Sequence, residues 1–148
     1  MTRHVAQINV GRLRYETDDP RLAVFMTNLD RINALAEASP GFVWRLKDDS
    51  GNATAIRVYD DPRIALNMSV WESLEQLQAY AYRSEHVMFF RRRAEWFVDF
   101  GAPHMALWWI DAGAIPSAED GKARLDHLSR HGPSVHAFTF KARFPAPQ

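Results

Sequence analysis

Two groups of residues in this chain combine side chains able to do chemistry. Along Ser73 to Phe97, read at about 100° per residue, Tyr82, His86, Phe89 and Arg93 fall on one narrow stripe beside Phe90 and Phe97. Arg91, Arg92 and Glu95 turn away from it. A cation and an imidazole are costly to bury among aromatic rings unless paired. Such a pair is suited to hold an anionic or enolate oxygen, or to move a proton. The structural alternative is that Arg93 snorkels past Phe89 and Trp96 or stacks on a ring, and that His86 is a hydrogen-bonded structural histidine. The second group consists of small polar residues on strand faces. Asn67, Ser69 and Trp71 alternate with Ile64, Leu66, Met68 and Val70, and Gln7 and Asn9 alternate with Ile8 and Val10. Four polar groups beside one indole suit a pocket with apolar walls and a few orienting groups, against the alternative of a solvated sheet face. His104, Trp108 and Trp109 follow Gly101-Ala102-Pro103 and are placed to close one end; parity alone does not say which Trp faces inward.

The elements that must position these residues are legible in outline. His4 to Leu13 alternates as a strand, with Ala6, Ile8 and Val10 on one side. Asp19 as cap and Pro20 at the first position open a helix through Phe25, Leu29, Ile32 and Ala36, which Ser39-Pro40-Gly41 ends. Phe42 to Leu46 reads as a short strand, and Ala53 to Asp61 as an excursion with a possible strand. Arg63 to Trp71 is the clearest strand. Its aliphatic row is expected under the helices and its polar row on the opposite side. Ser73 with Gln76 opens a second helix predicted to persist to Phe97, with Ser84 marking a bend or restart. HMALWWIDAG is an aromatic strand, Ser117 with Asp120 opens a helix to about Arg130, and Val135 to Lys141 reads as a last strand. The order is that of an α+β, ferredoxin-like split βαβ fold with an antiparallel sheet, plus a C-terminal helix and strand, in a single domain spanning 1–148. An uncovered sheet face points to a homodimer.

Composition narrows the function. Eighteen basic and 18 acidic residues give a formal net charge of zero, without the field that draws a protein to nucleic acid or an anionic membrane. Arg91-Arg92-Arg93 splays around a helix and makes no basic patch. Aromatics at 12%, with five Trp and nine Phe, can line a cavity as well as fill a core. With no Cys, thiolate nucleophiles and zinc-thiolate sites are excluded, and a reducing cytoplasm is the expected setting. No apolar run approaches the ~20 residues of a membrane span, and the start lacks a signal-peptide core. His127 and His131 have i, i+4 spacing, but no third ligand is evident nearby, so no metal is expected.

The segment SVWESLEQLQAY, a strand ending in V-W-x-S and a helix starting at that Ser, resembles the dimeric α+β barrel superfamily, which includes antibiotic-biosynthesis monooxygenases and haem-degrading monooxygenases. HVAQINVGRL, DRINALAEASPGFVWRL, NMSVWESLEQL, RRRAEWF and PHMALWW together resemble, over nearly the whole chain, a bacterial domain family of unknown function in that superfamily. The resemblance implies two ferredoxin-like protomers joined through their sheets, each with a pocket between the sheet and the second helix. Haem-degrading members use an Asn on the first strand, a Trp on the second helix and a His ligand. Asn9 matches the first, while Tyr80 and Phe90 stand at the other two positions. In the cofactor-free monooxygenases an Asn, a Trp and pocket polar groups activate an electron-rich aromatic substrate with oxygen; Asn9, Asn67, Trp71 and His86 are the counterparts here. The reading that results is a small-molecule protein resembling a cofactor-independent monooxygenase, acting on a hydrophobic, aromatic or polyketide-like molecule. The alternatives are a haem-binding or haem-degrading protein and a non-catalytic binding or assembly module. His86, Arg93 and Asn9 are the expected catalytic residues. Asn67, Ser69, Trp71, Tyr82, Phe89, His104 and Trp108 are the expected substrate contacts.

Overall fold

The computed structural model describes residues 2–16, 18–47, 59–61, 63–83, 91–99 and 103–147. The alternation near the N-terminus becomes β1 (Arg3–Leu13), the central strand of an antiparallel sheet. It pairs along one edge with β3 (Ile64–Trp71), from Val5↔Trp71 to Arg12↔Ile64. β2 (Phe42–Arg45) extends the sheet beyond β3. On the other edge, β5 (Met105–Asp111) pairs with Arg3 to Asn9 of β1, and the two-residue β4 (Phe97–Val98) pairs with Arg12 and Leu13. With α1 (Ala23–Glu37) between β1 and β2 and α2 (Leu74–Arg83) after β3, this is the expected α+β, ferredoxin-like arrangement. The helix starts follow the capping residues. Asp19 Oδ1 accepts from the Arg21 amide at 2.8 Å, fixing a 3₁₀ turn that leads into α1. Ser73 Oγ accepts from the Gln76 amide at 3.2 Å. Ser117 and Asp120 form a reciprocal capping box at the head of the C-terminal helix, α4 (Ala118–His131).

The parity of the strands is as expected, but their sides are reversed. The aliphatic row of β1, β3 and β5, including Ile8, Val10, Leu66, Met68 and Trp108, packs with Leu125 and Leu128 of α4. The opposite face carries Val5, Trp71 and Leu107 and packs with Ala36 of α1 and with Leu74 and Leu77 of α2. Asn67 and Ser69 therefore look toward α1 and α2. The reason lies in α4, which approaches the sheet closely: a Cβ on Gly121 would meet Met68 Sδ at 2.8 Å and Ile8 Cδ1 at 2.9 Å. The face expected to await a second subunit is covered by the chain's own helix, so the open-face argument for a homodimer does not hold, and a dimer would need another surface.

Two further elements differ from expectation. The helix read through to Phe97 is seen as α2 up to Arg83 and again as the short α3 (Arg93–Trp96), residues 84–90 lying outside the described ones; α3 hands over to β4, because Phe97 and Val98 find ladder partners on β1. The last strand is reduced to isolated pairings, Ser134↔Ala137 and Leu107↔Phe138. Phe138 exchanges both backbone hydrogen bonds with Leu107, at 2.8 and 2.9 Å, before Thr139 and Ala142 close a turn. The possible strand after Ala53 lies almost wholly outside the described residues, as does the bend at Ser84.

Candidate functional site

Because the polar row faces α1 and α2, it becomes the floor of a cavity of about 570 Å³ between the sheet and these helices. Antiparallel register sets Gln7 opposite Ser69 and Asn9 opposite Asn67. Buried amides need partners, and Gln7 Nε2 donates to Asn67 Oδ1 at 2.7 Å and to Ser69 Oγ at 2.8 Å. Ser69 Oγ also accepts from Trp71 Nε1 at 2.9 Å. Trp71 is fully buried, stacked on Tyr80 at 5.0 Å and met edge-on by Phe42 at 5.6 Å. It secures Ser69 from behind instead of facing a ligand. With its carbonyl oxygen engaged by Gln7, Asn67 keeps its Nδ2 amide to offer the cavity.

The walls are apolar. Phe25, Leu29 and Ile32 come from α1, Leu77 from α2, and Trp96 and Phe97 from the α3–β4 junction. Phe97 sits directly over β1, where a Cβ on Gly11 would lie 2.5 Å from its ring. Phe25 packs against both neighbours, 5.6 Å from Trp96 and 5.4 Å from Phe97. Tyr80 donates to the Ile32 carbonyl at 3.3 Å, and burial pushes its phenol pKa well above the ordinary value, so the ring remains neutral.

Arg93 and His104 add the ionisable character. The His104 carbonyl accepts from the Val10 amide at 2.8 Å, which seats the residue beside β1. Arg93 Nη1 lies 3.5 Å from His104 Nε2, making that nitrogen the acceptor and leaving the proton on Nδ1. Nδ1 is buried without a partner among the described residues. Burial, and then the Arg93 charge, lower the imidazole pKa from 6.5, so His104 is neutral near pH 7.

Of the residues foreseen, Asn9, Asn67, Ser69, Arg93 and His104 come together at the cavity. Tyr82 also lines it, 52% exposed, with its ring edge-on to Phe140. Trp108 does not belong there: it lies on the opposite face, in the core under α4, while Trp109 takes the cavity-side parity and donates to the Phe144 carbonyl at 2.8 Å. His86 and Phe89 lie outside the described residues. Gln7, one of the four polar groups read on the strand faces, joins them in the floor, and Lys141 is a cavity residue that sequence reasoning did not select. Gln7 shares its parity with Asn9, the signal that marks both; Lys141 has no such signal. Away from the cavity, His127 stands against His131 and also against His136, ring centroids 4.7 and 5.5 Å apart, yet no group of three among the described residues could hold a metal ion. No described helix is long and apolar enough to cross a membrane.

The family described as a domain of unknown function, DUF3291, matches residues 4–148. The chain belongs to that family. No curated protein matches this DUF3291 chain. Among solved structures, it is similar to a mutant of SnoaB from Streptomyces nogalater, a cofactor-independent oxygenase, at 13% identity over 76% of this chain and 95% of that one, with a TM-score of 0.49. It is similar to PA3566 from Pseudomonas aeruginosa at 13% identity, over 77% and 98%, with a TM-score of 0.49. It also matches the haem-degrading protein Rv3592 from Mycobacterium tuberculosis at 17% identity, over 80% and 100%, with a TM-score of 0.40. These likenesses carry no functional argument.

Proposed function

We propose that the protein binds a small hydrophobic, aromatic or polyketide-like molecule in this cavity and acts on it as a cofactor-independent, monooxygenase-like enzyme. The observation that carries the reading is the cavity itself: aromatic and aliphatic walls enclose a floor of hydrogen-bonded amides and one ionisable pair. In this reading Asn9 and Asn67 orient the substrate. His86, the acid or base expected from the sequence, takes a proton from an acidic ring carbon, and His104, accepting from Arg93, positions that guanidinium. Arg93 stabilises the enolate oxygen that forms. The electron-rich enolate then reduces dioxygen, so that a ring CH₂ and O₂ become C=O and water.

Haem suits the described residues poorly. His104 turns Nε2 to Arg93 and keeps Nδ1 buried, while the Tyr80 hydroxyl is held by Ile32.

An oxygen-electrode assay with 1,8-dihydroxyanthrone as probe tests the enzyme. Uptake above the protein-free rate is expected, falling by about a hundredfold in His104→Gln and Arg93→Ala. His86→Ala in the same assay tests the acid or base foreseen from sequence. Uptake no faster than in buffer removes the enzymatic reading for this substrate class.

A further inference from the structure

We infer that the ligand of this cavity is an acceptor-rich organic anion, an apolar body bearing a carboxylate or equivalent oxyanion. The inference rests on the cavity being the ligand site and goes beyond that reading by fixing the sign and hydrogen-bonding sense of the ligand's head group.

Three features of the lining converge on it. Among the described lining residues, the side chains charged at neutral pH are Arg93 and Lys141, and no carboxylate occurs. That asymmetry is local, because the chain as a whole has 18 acidic and 18 basic residues. The floor adds donors to these charges. Gln7 Nε2 takes one of the two lone pairs of the Asn67 carbonyl oxygen, while both N–H donors of Asn67 Nδ2 are there for a ligand. Ser69 Oγ, accepting from both Gln7 and Trp71, is likewise occupied as an acceptor. An ammonium group would meet the charges of Arg93 and Lys141 with no carboxylate in the lining to hold it. An oxyanion would meet donors, and a guanidinium matches a carboxylate in geometry as well as charge. The apolar walls of Phe25, Leu29 and Trp96 require the remainder of the ligand to be hydrophobic.

Calorimetric titration of the whole protein with 2-naphthoate and with its near-isosteric neutral counterpart, 2-naphthamide, tests this. The expected result is naphthoate binding at least about tenfold tighter than naphthamide. Asn67→Asp, which keeps the shape and still accepts from Gln7, should abolish that preference, and Arg93→Gln should reduce it. Because Asn67 is on the exposed side of the floor, the Asp variant is expected to remain folded, as circular dichroism will show. Equal binding of the two probes, or a preference unchanged in both variants, overturns the anionic assignment and leaves the cavity as a ligand site. Binding of neither probe to the folded wild-type protein overturns the assignment together with the reading on which it rests.

Discussion

His104 shows how a single side chain links the site to the stability of the fold. Its imidazole pKa is lowered in the folded chain by burial and by Arg93, and that of His127 by desolvation and by His131, His136 and Arg124. A histidine held below its ordinary value binds fewer protons folded than unfolded between the two values. Its share of stability is therefore intact above pH ~6.5 and declines as pH falls through that point toward the folded value. The melting temperature is expected to drop between pH 7.5 and 5.5, with a shallower drop in a His104→Gln/His127→Gln variant. An unchanged pH slope in that variant would mean that neither group contributes. At this scale the site was partly legible. Asn9, Asn67 and Ser69 were visible as polar residues breaking an apolar strand, and His104 and Arg93 were selected by type. Their contact, at a separation of eleven residues, depends on where α3 meets the start of β5, which no local periodicity encodes. Trp108 was misplaced because two adjacent tryptophans offer both parities, and only the partner strand decides between them.

At the level of elements, alternation fixes which residues share a face and leaves open what covers that face. The strands, α1 and the helix caps at Ser73 and Ser117 were legible because their signals are local. The reversal of sides was not, because both rows of β3 can be buried and only the close seating of α4 assigns the aliphatic one. Likewise, the pattern carrying α2 on to Phe97 gave way to β1 ladder bonds at Phe97 and Val98, a tertiary contact overriding a helical period. The seating of α4 can be tested directly. A side chain at Gly121 must displace Met68 and Ile8, and overpacking of this kind costs about 1–3 kcal/mol. Gly121→Val should lower the urea midpoint accordingly, whereas Ser129→Ala on the exposed side of the same helix should leave it unchanged. Equal midpoints for the two variants would show that α4 is not closely packed.

For the whole molecule, the arrangement is a three-layer one: α1 and α2 with the cavity, the sheet, and α4 behind it. The homodimer expected from an uncovered sheet face came from counting an apolar face without its cover. That cover, α4, is tethered to β5 by residues 112–117. Its effective concentration at the sheet is set by a short linker and not by how much protein is in solution. Burial of the aliphatic face is thus a first-order event, insensitive to dilution. The melting temperature should stay constant between about 1 and 100 µM, whereas a face covered by a second subunit would lose stability as the protein is diluted. A melting temperature that falls on dilution would show that another copy of the chain helps hold the fold. A chain that closes its own sheet in this way carries a complete cavity floor with it even where it is scarce.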